Sequence, residues 1–234
     1  MNITKKYKSL IKLIIALFLF FYASIITIIP IVIFNIDLDT ASTTTIYALQ
    51  LFSNIFRALC LFLMYKKELI EKFKEFKNNF WDNADTAIKY WMIGLVVMAA
   101  SNILIGIFTP SKVANNEAGV QEIITQSPLI AFILTTILAP FTEEIIFRKS
   151  FRDVFKEKNI YILISGLVFG SLHVISSVTT LYDYLYIIPY SALGIAFATI
   201  YYKTDNIFSS IFVHMLHNGV LTIMSIISTG MMLL

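Results

Sequence analysis

Seven long apolar runs separated by short polar connections divide the chain: Leu10–Phe34, Thr44–Tyr65, Thr86–Phe108, Pro128–Phe147, Ile160–Thr179, Tyr184–Tyr202 and Ile207–Leu233. Each is close to or above the ~20 apolar residues with which a helix crosses a hydrocarbon core. The pattern predicts an all-α fold, a polytopic membrane bundle of about seven transmembrane helices forming a single integral membrane domain over residues 1–234. Lys5, Lys6, Lys8 and Lys12 precede the first run as they would a signal peptide. Its apolar stretch outlasts the roughly 7–15 residues of such a segment, and no clean A-x-A-like site follows, so it reads as a retained span. One connection has a period of its own. In KKELIEKFKEFKNNFW, residues 66–81, Leu69, Phe73, Phe76 and Phe80 recur at 4-3-4 spacing opposite Lys and Glu, and Glu68 stands four residues before Lys72. This predicts an amphipathic helix lying on the cytoplasmic interface, the plainer alternative being a solvated connector.

Composition removes the soluble classes. The chain is 58% hydrophobic and 14% charged, against about 45–50% and 25% in soluble domains, and its mean hydropathy is +0.78. A soluble globule of this size has too little interior to hide that much apolar side chain. The net charge of +3 is spread over short connections without a continuous basic stripe, which excludes nucleic acid as a partner. The single cysteine, Cys60, excludes a disulfide framework and a cysteine-based zinc site. Charge also sets orientation. Fifteen Lys and Arg fall in the N-terminal segment, the 66–77 and 148–158 connections and the 203–206 turn, against Lys112 alone in the alternate connections. Basic connections stay in the cytoplasm, so the N-terminus is expected there and the C-terminus outside.

Ionisable groups within spans are costly and turn towards a bundle interior or an aqueous cavity. Here they concentrate in the last four spans: Glu143, Glu144 and Arg148 in APFTEEIIFR, then His173, His214 and His217, which are all the histidines of the chain, with Asn218 beside the last. Arg57 is a further intramembrane charge, with a cavity lining and a lipid headgroup as its two readings. Neighbours on a helix diverge by about 100°, so Glu143 and Glu144 cannot face one target. Glu144 and Arg148, four apart with Glu first, form an ion pair on one face. Glu143 then stays unpaired near Pro140 and Phe147, and a carboxylate free of ion pairing is the better general base. Pro140 lacks an N–H and predicts a kink and a wet cavity beside Glu143. Gly166 and Gly170 form a GxxxG pair that draws another helix close, turning His173 into the bundle above Phe169. His214 and Asn218, about 40° apart, present two donors to one point, as an oxyanion requires. His217 points to the other side and reads as interhelical glue.

In this order, Glu143-Glu144-x-x-x-Arg148, Phe169-x-x-x-His173 and His214-x-x-x-Asn218 resemble the signature of the CAAX prenyl protease and bacteriocin-processing family, also called Abi, anchored in residues 128–222. The resemblance implies an intramembrane endopeptidase opening towards the cytoplasm. It makes Glu143, helped by His173, the activator of a hydrolytic water, gives the oxyanion to His214 and Asn218, and leaves Glu144, Arg148 and Phe169 to shape the site. The family has been described as metal-free and as metal-dependent. Glu143, His173 and His214 form an acceptable zinc set, but Glu143 as ligand would leave the base to Glu144, already committed to Arg148, so no cofactor is the preferred reading. The expected partner is a peptide or a membrane-anchored protein substrate, with the bilayer around it; oligomeric state has no sequence signal. An Ile-, Phe-, Tyr-, Lys- and Asn-heavy composition points to an AT-rich bacterial genome and against prenylated tails. The rival reading is a non-proteolytic scaffold or bacteriocin self-immunity protein on the same fold; a transporter is disfavoured because no repeats appear.

The arrangement sets one structural condition. Glu143 lies near Arg148 while His173 lies far from the start of its span, so the two meet only if the fourth and fifth helices extend past the membrane, which residues 148–158 read as helical enough to allow.

Overall fold

A computed structural model of the chain describes residues 3–108, 115–175 and 177–232; Lys112 lies outside the described residues. Every element among them is helical. Seven helices are long and apolar enough to cross a membrane, as the hydrophobic pattern predicts: Lys6–Ile33, Thr43–Asn78, Phe80–Ile107, Pro128–Val154, Lys158–Ile175, Leu181–Thr204 and Ile207–Gly230. A helix over Asn115–Gln126 joins the third span to the fourth. The protein is an integral membrane bundle.

The first span is interrupted by a 3-10 turn, Ala23–Thr27, which leaves carbonyls of the preceding helix without regular partners. Arg57 of the second span answers one of them. Its Nε donates to the Leu19 carbonyl at 3.1 Å and its Nη1 to Asn54 Oδ1 at 3.1 Å. The charge is thus held by protein, and a headgroup is not needed to satisfy it.

The amphipathic stretch predicted over residues 66–81 is helical but does not form a separate element. Residues 66–78 are the last turns of the unbroken helix Thr43–Asn78. Its apolar stripe meets the seventh span: Leu69 and Phe76 are buried, and Phe73, Phe76 and Phe80 contact the rings of Phe208 and Phe212. The 4-3-4 spacing therefore records burial against a neighbouring helix.

Small residues decide how the bundle closes. A Cβ on Gly166 would lie 2.8 Å from the Ile195 backbone nitrogen, and one on Gly170 would lie 2.6 Å from that of Ser191. The GxxxG face of the fifth span thus packs backbone to backbone on the sixth. Gly94 of the third span does the same, with a built Cβ 2.7 Å from that of Ala196. The sixth span sits at the centre, flanked by the third, fifth and seventh.

The two ends of the bundle differ. At the end where the second, fourth and sixth spans finish, ion pairs tie the turns together. Lys149 reaches Glu68 at 2.9 Å and Asp153 at 2.7 Å, and Asp205 receives Arg152 at 2.9 Å and Lys72 at 3.1 Å. Asn206 Nδ2 adds a bond to the Lys72 carbonyl at 2.8 Å. Among the described residues the other end is open.

Candidate active site

A cavity of about 630 Å³ occupies that open end, within the roughly 300–1,000 Å³ usual for ligand sites. Glu143, His173, His214, His217 and Asn218 line it, so three spans meet there. The condition set by the sequence is satisfied because the fourth helix runs on to Val154 before the fifth begins at Lys158. Glu143 stands about 16 Å back from the first point and His173 about 22 Å on from the second, at 1.5 Å per residue.

The fourth span is irregular where it carries the site. Wide π-turns cover Ile133–Leu138 and Glu144–Ser150, with a short α segment between. Such turns shift hydrogen bonding from i−4 to i−5 and are frequent at functional sites. Other side chains complete the pattern: Ser150 Oγ donates to the Ile145 carbonyl at 3.1 Å and Ser165 Oγ to the Phe147 carbonyl at 2.7 Å. At the first π-turn the backbone N–H of Ala139 bonds to the Leu134 carbonyl. In the same register residue 140 would donate to Thr135, but it is proline and has no N–H. Asn218 Nδ2 takes that place, donating to the Thr135 carbonyl at 2.8 Å. Pro140 thereby leaves open an acceptor that fixes the Asn218 amide, with one of its two N–H bonds used.

The adjacent glutamates have different surroundings. Glu144 and Arg148 are both fully buried; Glu144 Oε2 lies 3.3 Å from Arg148 Nε, and Glu144 Oε1 lies 2.9 Å from His214 Nδ1. The guanidinium also rests over the Phe169 ring at 4.4 Å and faces that of Phe197 at 5.8 Å. Glu143 turns the other way. Its Oε2 stands 3.8 Å from His173 Nε2 and 3.8 Å from His214 Nε2. That separation is too long for a direct hydrogen bond and short enough for a shared small molecule.

Both imidazoles are oriented from behind. His173 Nδ1 lies 2.8 Å from the Phe169 carbonyl, which can only accept, so Nδ1 carries the proton and Nε2 faces Glu143. His214 Nδ1 faces Glu144 in the same way. Aromatic rings fix both planes: Phe169 lies 4.2 Å from His173 and Tyr190 stacks on the same imidazole at 5.2 Å, while Phe197 stacks on His214 at 4.6 Å. Sequence reasoning missed Tyr190 and Phe197, because aromatics inside an apolar run look like ordinary core. Their spacing of two helical turns, on either side of Leu193 and Gly194, was the available signal. His217, read as glue, meets the edge of Trp91 at 6.3 Å and also lines the cavity.

Two expectations conflict here. The cavity lies at the end away from the basic turns. If those turns mark the cytoplasm, the site does not open towards it.

Residues 125–220 match the family described as Type II CAAX prenyl endopeptidase Rce1-like, in agreement with the resemblance carried by the three motifs. Over 158 residues, 64% of this chain and 61% of the relative, the chain is 28% identical to the candidate membrane peptidase YdiL of Bacillus subtilis (strain 168). It is 27% identical over 139 residues to the UPF0177 protein YxdF of Lactococcus lactis subsp. lactis (strain IL1403), covering 56% of this chain and 74% of that one. A second protein of that strain, the UPF0177 protein YvdC, is 27% identical over 133 residues, 54% of this chain and 49% of its own length. The matches thus span from about half to three quarters of these relatives. No solved structure matches the chain.

Proposed function

We propose, for a chain whose residues 125–220 belong with the Rce1-like CAAX endopeptidases, that the cavity hydrolyses a peptide bond of a peptide or membrane-anchored protein with water as nucleophile. The observation that carries this reading is the convergence of His173 Nε2 and His214 Nε2 on one carboxylate oxygen, Glu143 Oε2, each at 3.8 Å. A water held between Glu143 and His173 gives its proton to Glu143 as its oxygen bonds to the scissile carbonyl carbon. The carbonyl oxygen becomes an oxyanion, received by the second N–H of the Asn218 amide and by an Nε2–H of His214, which donates there with both ring nitrogens protonated while its Nδ1–H stays on Glu144. Collapse of that intermediate breaks the C–N bond, and the proton on Glu143 passes to the leaving amine. Glu144, Arg148, Phe169, Tyr190 and Phe197 act through the imidazoles they hold.

Zinc is the alternative activator. The three donors facing one another, Glu143, His173 and His214, are chemically suited to it. Glu144, which would then have to be the base, is occupied by Arg148 and His214. The reading adopted is therefore a glutamate-activated water. Activity retained in purified protein after exhaustive chelation is expected; loss on chelation with recovery on added zinc would reassign the three donors as ligands.

The test of the activity itself does not require a known substrate. Wild type and Glu143→Gln are expressed in the native host, and peptide termini in membrane and secreted fractions are compared by mass spectrometry. New termini are expected with wild type only. Matching termini, with the Gln variant still functional in cells, would favour a scaffold or self-immunity protein on the same fold.

A further inference from the structure

The residues that line the cavity share a position along the bundle. Asn102 falls in the last two turns of the third span, and Val120 and Ile124 belong to the helix that joins it to the fourth. His173 is two residues from the end of the fifth span, Tyr186 is in the opening turns of the sixth, and Ser225 is well along the seventh. From the Glu143 level the cavity thus runs towards the end where the third and fifth spans finish and the fourth and sixth begin.

The opposite direction is closed. Between Glu144 and the basic turns the interior is filled by side chains with no exposure, Ile145, Ile146, Phe147 and Arg148 among them. Beyond these the ion pairs of Lys149, Arg152 and Lys72 bind the turns to one another. That sealed end carries fifteen of the eighteen Lys and Arg of the chain. Short connections rich in Lys and Arg remain in the cytoplasm.

We infer that the cavity opens on the non-cytoplasmic face of the membrane, so that its substrate is an exported peptide or an external segment of a membrane protein. The position of the opening stands on geometry and charge alone; the nature of the substrate rests on the peptidase reading above. A cytoplasmic protein tail would have no route to Glu143 through the packed end. A chain that has already been translocated meets the opening directly, with the apolar walls of the cavity taking side chains and the His214–Asn218 edge taking the backbone carbonyl.

Cysteine labelling of the full chain in intact cells tests the inference without any substrate. In a Cys60→Ala background, single cysteines replace Leu181 and Tyr182 at the open end, which are 84% and 54% exposed. Others replace Trp81, 81% exposed, and the exposed Lys74 at the basic end, and Ser225 in the cavity. The probe is a membrane-impermeant maleimide, applied before and after permeabilisation. Cysteines at 181, 182 and 225 are expected to label equally in both conditions, and those at 74 and 81 only after permeabilisation. Labelling of 74 and 81 in intact cells, with 181 and 182 silent, would invert the protein and overturn the inference. So would labelling of 225 from the cytoplasmic side alone. Two probes at each end keep the result readable if one variant does not fold. Failure of the peptidase reading would leave these patterns unchanged and would appear only as identical termini in wild type and Glu143→Gln.

Discussion

The two ends of the bundle use their polar groups in opposite ways. At the basic end the charges that tie the turns together meet opposite charges directly: Lys149 with Glu68 and Asp153, Arg152 and Lys72 with Asp205. At the cavity end three polar groups are fixed on one side and face the cavity on the other. His173 is held at Nδ1 by the Phe169 carbonyl, His214 at Nδ1 by Glu144, and the Asn218 amide by the Thr135 carbonyl. Glu143 remains 3.8 Å from its two nearest partners. Pairing that is complete adds cohesion; pairing that is half complete leaves directed donors and acceptors for a third party. The buried Glu144–Arg148 pair is the boundary, since Glu144 is ion-paired backwards with Arg148 and hydrogen-bonded forwards to His214.

The largest effects should fall where the pairing is half complete. Glu143→Gln removes the base and is expected to lower the turnover of a cleaved peptide by on the order of 10²–10⁴-fold, with expression and thermal unfolding in detergent unchanged. Glu144→Gln should show the reverse balance. It leaves Arg148 buried without a counter-charge, which costs about 3–5 kcal/mol of stability and should lower the unfolding temperature. The fraction that remains folded should retain more activity than Glu143→Gln does. Equal loss of turnover in the two variants at equal stability would erase the boundary drawn here.

Much of this comparison was legible in the sequence. The seven spans follow from hydropathy, and the separate faces of Glu143 and Glu144 follow from the 100° helical step. Gly166 and Gly170 announced the close approach that turns His173 inward. What the sequence left unread has physical causes. Leu69, Phe73 and Phe76 show a period that a membrane interface and a neighbouring helix impose equally, and only the packing of Phe208 and Phe212 distinguishes them. Arg57 gave no sign of its bond to the Leu19 carbonyl, because the 3-10 turn that frees backbone groups there has no strong local signal. The rings of Phe197 and Tyr190 serve the histidines only through tertiary stacking. The side on which the cavity opens depends on which end of each helix is hollow, and a list of spans does not contain that information.

Pro140 offers a finer probe of the half-paired end. Asn218→Ala removes an oxyanion donor and should lower turnover by about 10²–10³-fold. Pro140→Ala restores a backbone N–H that competes with Asn218 for the Thr135 carbonyl, so its loss of turnover should be smaller and should vanish in an Asn218→Ala background. Additive losses in the double variant would show that Pro140 acts apart from Asn218. Gly170→Ala tests the scaffold beneath His173. The new Cβ would meet the Ser191 backbone at 2.6 Å, and such overpacking costs about 1–3 kcal/mol, to be read as a lower unfolding temperature.

The smallest effect should come from the ion-paired end, and Asp205→Asn isolates it. Asp205 has a positive φ of 52°, a left-handed conformation that asparagine adopts as readily as aspartate. The substitution therefore leaves the turn between the sixth and seventh spans unstrained and removes only the charge shared by Arg152 and Lys72. The Asp205 side chain is 68% exposed, and pairs in such surroundings contribute about 0–1 kcal/mol, screened further by salt. The unfolding temperature should fall slightly at low ionic strength and converge with wild type as salt is raised, while turnover stays the same throughout. A loss of turnover at unchanged stability would mean that the basic end communicates with Glu143 across the packed interior, and the division between a cohesive end and a chemical end would have to be given up.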